Sequence, residues 1–367
     1  MNFQKNILVK ISIAVLFFQF LLIAQSDSLF QEEMEWEAFP IFNYDSDAGY
    51  GYGGKGFLYN IFGRKESFDL TLYNSTKGER WYRFVFSIID MQRRQGKKYP
   101  IALDLIIDYD KWINYKYYSR IFDYPTNKIK VKSTSYKREA IEITALLSKG
   151  FVKDFIAELG VRFKSVNSSD FNPAGNDFNF YSVDYFSVRP RSYIQLASLI
   201  FNFKWDTRIN YINPESGFVL EIDNEIAYDI LNPPGQNFYK IGFLSQHYVK
   251  LFAPHFIFAN RVILQAISEV DYQLLLPLGG NKTIRGLPQD RYLSESTILF
   301  NSELRFPIWW RLGGIAGVDI GNSETTPDWL INPVVGLRFY MDNFVVRFDV
   351  GFGKEITGIY FNFGHIF

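Results

Sequence analysis

The sequence of 367 residues has no cysteine, no net charge and no long apolar run after residue 24. Without cysteine the chain can form no disulfide framework, no thiolate metal site and no thiol nucleophile. Basic and acidic residues number 39 each, so the basic excess of a typical nucleic-acid-binding protein is missing. Its three histidines, His247, His255 and His365, fall in separate segments, without metal-site spacing or a Ser/His/Asp arrangement. We therefore expect no catalytic residue, no metal, no cofactor and no nucleic-acid partner.

The first 26 residues have the layout of a secretory signal peptide. Lys5 and Lys10 precede an apolar run at 11–24, after which the chain turns polar. The small residues Ala24 and Ser26 suit the positions before a cleavage site, so we predict cleavage after Ser26. A retained membrane anchor is the alternative, but the run is shorter than the ~20 apolar residues of a spanning helix. Residues 27–34 then form a short segment that we expect in the periplasm.

Aromatic residues make up 19% of the chain, whereas its mean hydropathy is close to zero. A transmembrane β-barrel accounts for both values. One face of each strand meets lipid, the other meets a polar lumen, and aromatic side chains ring the two interfaces. No segment after the signal peptide is apolar enough to span a membrane as a helix. A membrane protein with this sequence must therefore close its strands into a barrel, because open sheet edges leave backbone groups unpaired in lipid.

Alternating apolar and polar side chains mark many short segments. Within 344–352 aromatic and aliphatic residues occupy every second position, and Asp349 is among the polar residues between them. Within 296–308 Glu303 and Arg305 alternate with apolar residues in the same way. A charge pointing into hydrocarbon near the midplane costs about 2–4 kcal/mol, so the charged faces should line the lumen.

The alternation predicts sixteen strands, an even number as single-chain bacterial barrels require. They cover 35–44, 49–61, 66–75, 80–91, 99–110, 137–149, 151–166, 191–206, 215–229, 237–252, 255–271, 295–308, 311–321, 330–341, 343–353 and 356–367. We therefore predict an all-β fold, a 16-stranded antiparallel transmembrane β-barrel over 35–367. A soluble β-sandwich or propeller is the alternative, which accounts less well for the signal peptide and the two-faced strands together.

Long and short connections alternate along the predicted barrel. Residues 111–136, 167–190 and 272–294 are long connections, whereas 148–150 and 253–254 are tight turns. Outer-membrane barrels have short periplasmic turns and long extracellular loops. We therefore expect the outer membrane of a Gram-negative-type bacterium, with both termini in the periplasm.

Two groups of residues suit the surfaces of such a barrel. Trp309 and Trp310, near a strand end, fit an aromatic girdle at the membrane interface. Basic residues gather in and beside the first long connection, where they either contact anionic lipopolysaccharide or carry solvated charge. They are Lys116, Arg120, Lys128, Lys130, Lys132 and Lys137.

The chain ends in an aromatic residue, Phe367, and Phe363 stands four positions before it. On an alternating last strand both would lie on one face. This arrangement resembles the C-terminal signal that the outer-membrane assembly machinery reads. A merely hydrophobic last strand is the alternative.

A Gly-Gly turn followed by Ile-Arg-Gly stands in the long connection between the eleventh and twelfth predicted strands. Its residues are Gly279, Gly280, Ile284, Arg285, Gly286 and Leu287. Three other segments accompany it in order, at 206–217, 301–308 and 317–321. The four segments together resemble the BamA/TamA-like superfamily, also called the bacterial surface antigen family. The resemblance covers nearly all of the mature chain.

The resemblance implies a long loop that folds back into the lumen, where the motif arginine meets acidic groups on the barrel wall. In this chain it puts Arg285 against Glu303 and Asp319. The planar donor fork of arginine can reach both carboxylates. Gly286 would allow a sharp turn at the loop tip. A solvated Arg285 in an extracellular loop is the alternative.

The sequence departs from the family at two points. Leu287 stands where the family usually has Phe or Tyr, and residues 27–34 leave no space for the periplasmic POTRA modules that receive clients. We therefore expect a barrel-only member, not an enzyme, that assists insertion or translocation of polypeptides or lipids at the outer membrane. A passive pore or structural barrel is the alternative. The expected partners are outer-membrane lipid and lipopolysaccharide, the assembly machinery, and a periplasmic receptor protein.

Overall fold

The computed structural model describes residues 33–367 except 92, 124–127, 173–191, 232–236, 254, 269 and 342–343. The predicted signal peptide, with its cleavage site, lies outside the described residues. Within them the one helical segment is the short 3-10 turn Tyr272–Leu274. No helix in this part of the chain has the length and apolar character to cross a membrane.

Sixteen strands form one closed antiparallel barrel, which confirms the predicted fold and strand number. They are β1 (Glu35–Asp45), β2 (Gly49–Tyr59), β3 (Glu66–Ser75), β4 (Glu79–Ile88), β5 (Tyr99–Asp123), β6 (Lys128–Val152), β7 (Phe155–Asn172), β8 (Tyr193–Asp206), β9 (Gly217–Asp229), β10 (Phe238–Lys250), β11 (Ile257–Ile267), β14 (Ser296–Trp309), β15 (Leu312–Ser323), β16 (Leu330–Tyr340), β17 (Val345–Phe352) and β18 (Thr357–Phe363). The short strands β12 (Leu276–Leu278) and β13 (Tyr292–Ser294) pair with each other inside the connection between β11 and β14.

The two faces of the strands differ as the alternation predicts. On β14 the Glu303 and Arg305 side chains are fully buried, whereas Ile298 and Ile308 lie on the outer surface with about half of their area exposed. The outer surface carries aliphatic and aromatic residues on almost every strand. The charged side chains therefore point to the inside of the barrel, where other side chains and water can satisfy them.

The prediction of a loop over 111–136 was wrong. β5 and β6 are 25 residues long each, and they stay paired from Tyr99 to the described end of the hairpin at Asp123 and Lys128. The strands of a bilayer-spanning barrel need only ~9–11 residues, so this hairpin projects well beyond the barrel wall. The segment 113–123 contains only two aliphatic residues, Ile113 and Ile121, and carries Lys116 and Arg120. A strand outside the membrane needs no apolar face, because its partner strand satisfies its backbone.

The chain leaves the last strand earlier than predicted. β18 ends at Phe363, and Gly364 has a φ of +78°, in the left-handed region that glycine tolerates. Phe363 lies on the outer surface, whereas Phe367 packs inside the barrel with Tyr248, Ile257 and Ala259. Phe363 and Phe367 therefore do not share one face of one strand, contrary to the prediction.

The closure between β1 and β18 is the weakest contact between neighbouring strands. Their register contains two residue pairs, Tyr44 with Phe361 and Asp45 with Tyr360. The next shortest registers, on either side of β17, contain seven pairs each. Ser46 adds a hydrogen bond from its backbone N–H to the Ile359 carbonyl at 3.2 Å. We call this closure the seam.

Candidate functional site in the barrel lumen

The connection between β11 and β14 contains the motif, and glycines allow its tight path. Gly279 and Gly280 have φ values of +126° and +87°. A Cβ on Gly279 would lie 2.3 Å from the Pro288 carbonyl oxygen, which no side chain could tolerate. The Gly280 N–H donates to the Leu287 carbonyl at 3.1 Å and so closes the turn around the motif.

Apolar packing holds the same turn against the wall. Ile284 and Leu287 are buried together with Leu278 at the start of the loop and Leu299 on β14. Leu287, the residue that departs from the family pattern, is thus a core residue of the loop. Burying an aliphatic side chain of this size contributes about 1.5–3 kcal/mol.

Arg285 reaches the wall and is fully buried. Its Nε and Nη2 donate to the two carboxylate oxygens of Asp319 at 2.8 and 2.9 Å. Its Nη1 donates to Glu303 at 2.9 Å and to Asp349 at 2.8 Å. The structure thus brings Arg285 together with both predicted partners and with a third carboxylate.

The loop tip fits closely against β17 and β18. Gly286 has a φ of +87°, and a Cβ there would lie 2.7 Å from the Gly353 backbone nitrogen. A Cβ on Gly351 would lie 2.5 Å from the Arg285 carbonyl carbon. The Gly286 N–H donates to the Tyr360 hydroxyl at 3.1 Å. Glycines on both sides therefore allow the two backbones to touch.

Further arginines extend the buried network toward the end of the barrel where β1 begins. Arg305 and Arg338 both lie within 3.4 Å of Glu303, and Arg338 also donates to Asp349 at 2.5 Å. These side chains are completely buried. Breaking a buried ion pair by removing one partner typically costs 3–5 kcal/mol, so the network should fix the loop firmly.

Sequence reasoning missed several members of this network. Asp349, Arg338, Asn332, Tyr360 and Gly351 all contact the Arg285–Gly286 tip or its carboxylates. The alternation within 344–352 had placed Asp349 on the polar face. No pattern along the chain could assign it to an arginine 64 positions away.

The C-terminal residues enter the lumen from the end where β1 begins and meet two arginines. Arg305 Nη2 donates to the Phe367 carbonyl at 2.8 Å, and Arg261 Nη1 donates to the Ile366 carbonyl at 3.0 Å. Both guanidinium groups also lie over the Phe367 ring, 5.2–5.4 Å from its centre. Such cation–π contacts add to the attraction. The tail therefore leaves β18 and packs against β11 and β14.

Several charged groups outside this network have structural partners. Arg93 pairs with Glu35 at 2.5 Å, and Arg94 pairs with buried Asp104. His255 lies 3.1 Å from Glu215, whose pKa is lowered chiefly by a hydrogen bond with Lys250. In the described part of the chain, no three His, Asp or Glu side chains are placed to hold one metal ion.

Comparison with known proteins gives a family and a set of similar folds. The model of the Omp85 superfamily domain matches residues 60–367. The solved structure of BamA from Haemophilus ducreyi lacking POTRA domains 1–3 has a TM-score of 0.63 and 13% identity, over 91% of this chain and 70% of that one. CdiB from Escherichia coli has a TM-score of 0.58 and 12% identity, over 90% of this chain and 62% of that one. A search of curated proteins gives no match.

Proposed function

The chain belongs to the Omp85 superfamily, and on that basis we propose that it assists insertion or translocation of polypeptides or lipids at the outer membrane. The observation that carries the proposal is the seam. Two residue pairs hold β1 to β18, so lateral separation there breaks far fewer backbone hydrogen bonds than at any other junction of the barrel.

The free edge of β1 supports this role. Residues 35–43 pair with β2 on one side but have no partner in β18, which ends at Phe363. Trp36 and Phe42 on this strand are exposed on the outer surface. An unpaired strand edge is a template for another strand, and an apolar outer face suits a position in lipid. The segment could therefore pair transiently with a client strand that enters the membrane.

The outer surface supports a location in the outer membrane. Large aromatic residues near the end where β1 begins are strongly exposed, among them Trp36, Phe62, Phe252, Trp309 and Trp310. Such a ring fits an interfacial girdle. We propose that this end faces the periplasm and that the loop end faces outward, with lipopolysaccharide around it. We also propose that a separate periplasmic receptor delivers clients.

A passive pore is the second candidate function, and the contents of the lumen disfavour it. The loop from β11 to β14 fills the lumen along β14 to β18, and the C-terminal tail crosses it near Arg261 and Arg305. Steady conductance is therefore confined to whatever part of the lumen these segments leave free, unless they move.

A seam that can be locked tests the proposal directly. The chain has no native cysteine, so Tyr44→Cys with Phe361→Cys introduces one pair at register partners on the seam. In liposomes the reduced barrel should accelerate folding of an unfolded outer-membrane barrel client several-fold, and oxidation should abolish the acceleration. Oxidation of the single-cysteine variants is the control.

Conductance separates the two candidate functions. The barrel without cysteine substitutions should show a mostly closed state with brief openings in planar bilayers. A stable open pore that never accelerates client folding, in reduced or oxidised form, would establish the passive role.

A further inference from the structure

The loop that contains Arg285 touches both edges of the seam. At the β1 edge, the Gln289 backbone N–H donates to the Asp47 carboxylate at 2.9 Å, in the turn that follows β1. At the β18 edge, Arg291 Nε donates to Glu355 at 2.7 Å, in the turn that precedes β18. Gln289 and Arg291 are two positions apart, so a short stretch of one loop spans the junction.

A second bridge lies deeper in the lumen. The Asn281 side-chain oxygen accepts a hydrogen bond from Arg347 Nη2 on β17 at 2.6 Å. The same side-chain amide hydrogen-bonds Asp45, the last residue of β1. Asn281 is itself buried. One amide therefore connects the strands on the two sides of the seam.

These contacts reinforce a junction whose own pairing is short. The strands supply two residue pairs and the hydrogen bonds of Ser46 with Ile359. The loop adds contacts to both flanking turns and to Asp45 and Arg347. The loop is covalently attached to β11 and β14, and β14 is four strands away from β18 in the barrel. Its position can therefore change without breaking either seam strand.

We propose that residues 281–291 act as a latch that holds the seam closed. The seam opens when Gln289 releases Asp47, Arg291 releases Glu355, and Asn281 releases Asp45 and Arg347. The proposal rests on lateral opening in the proposed function, but it assigns control of that opening to specific side chains. Arg285 anchors the latch in the buried network, while Asn281, Gln289 and Arg291 join the two edges.

The contact of Arg291 with Glu355 offers the cleanest point to weaken the latch. Arg291 is buried, and it lies over the rings of Tyr118 and Tyr292 at 4.7 and 4.8 Å. Glu355 stands in a turn and is more than one-third exposed. Glu355→Ala therefore removes the acceptor at the seam without opening a cavity in the wall, and Glu355→Gln keeps an acceptor without the charge.

Distances across the seam can be measured on the complete barrel in lipid nanodiscs. Spin labels on Tyr52→Cys in β2 and Phe348→Cys in β17, both on the outer surface, flank the junction. We expect Glu355→Ala and Asn281→Ala each to raise the population of a longer distance at least threefold. Glu355→Gln should restore most of the parent distribution. Glu324→Ala, in the turn after β15, is the matched control, because Glu324 bonds Ser296 and does not contact the latch.

The outcomes separate the latch from the proposed function. Parent-like distances in both Glu355→Ala and Asn281→Ala, with heat-modifiable barrels, would overturn the latch. If Asn281→Ala prevents folding, Glu355→Ala alone decides. The measurement needs no client, so a seam that opens without accelerating client folding keeps the latch and rejects the proposed function.

Discussion

Arg285 is buried among three carboxylates that come from three different strands, β14, β15 and β17. A guanidinium group is the side chain suited to this position, because its five donors lie in one plane and its charge persists at any accessible pH. Lysine would present one point charge and leave part of the acidic cluster unpaired. The residue thus ties one loop to the wall at several points at once.

Arg285→Ala should destabilise the barrel by about 3–5 kcal/mol, because it leaves buried carboxylates without their counter-charge. Unfolding by denaturant in detergent micelles, followed by heat-modifiability on gels, measures the loss. Arg162→Ala is the matched control, since Arg162 forms ion pairs with Glu142 and Glu225 but remains partly exposed. Its loss should cost no more than about 1 kcal/mol.

The partners of Arg285 should behave as one unit. Combining Arg285→Ala with Asp319→Ala should cost less than the sum of the single changes, because residues in one network are strongly coupled. Strict additivity, or an Arg285→Ala barrel as stable as the parent, would show that the arginine does not anchor the loop.

Asp47 couples the seam to pH. Burial and the negative charge of Asp45 raise its pKa to about 6, against the opposing effects of the Gln289 hydrogen bond, Lys116 and Lys77. When the latch releases Asp47 into water, its pKa should fall toward the ordinary value. The closed seam then binds this proton more tightly than the open one. Acid therefore favours closure, and a rise in pH through about 6 favours opening.

The same spin-label pair tests this sign. The longer-distance population should rise between about pH 5 and pH 7.5, with a midpoint near the pKa of Asp47. Asp47→Asn keeps an acceptor for the Gln289 N–H but has no proton to lose, so its distances should not change over this range. A pH response that persists in Asp47→Asn would assign it to another group.

At the scale of elements, the β5–β6 hairpin stands apart from the other connections. Two tyrosines of β5 contact the latch. The Tyr115 hydroxyl donates a hydrogen bond to Asp290 at 2.5 Å, and the Tyr118 ring stacks on the Arg291 guanidinium group. Among the described residues, β4 pairs with β5 as far as Trp112 and β7 pairs with β6 as far as Ser135, and beyond these points β5 and β6 pair with each other. The projecting part is therefore a two-stranded ribbon outside the closed sheet.

Replacing residues 116–135 with a two-residue Asn-Gly turn should leave the barrel folded. Tyr115 and Tyr136 are register partners, so the shorter hairpin can close between them, and every membrane-spanning pair remains. Heat-modifiability should be unchanged, while the loss of Tyr118 should shift the seam distances modestly toward opening. Failure to form a heat-modifiable barrel would show that the ribbon contributes to folding of the wall.

Over the whole molecule, two segments occupy part of the inside of a barrel whose outer surface is apolar. The latch loop and the C-terminal tail enter from the two ends of the barrel; the loop binds arginines and carboxylates of β11 to β17, and the tail binds Arg261 and Arg305. Several inward-facing ion pairs along β2 to β9 remain partly exposed, such as Lys55 with Asp69 and Arg162 with Glu225. The filled half of the lumen therefore lies beside the seam, where movement of a loop can affect closure.

The sequence by itself determined the class of fold, the number of strands and the face of each strand. These follow from local alternation, which has a period of two residues and needs no knowledge of distant contacts. The sequence also pointed to Arg285, Glu303 and Asp319. It was wrong about the hairpin, since a strand outside the membrane needs no membrane-facing pattern, and about the tail, since the chain turns at Gly364 and places Phe367 inside.

Tertiary structure alone decided which distant residues meet. Asp349 joins Arg285 across 64 positions, and Asn281 joins Asp45 to Arg347, because closure of the barrel brings the first and last strands beside one loop. The register at the seam is also a property of the closed ring. Strand 1 can pair with strand 18 only after every strand between them has set the circumference and stagger of the barrel. Because the circumference and stagger depend on all sixteen strands at once, no local sequence pattern could predict the short seam or its latch.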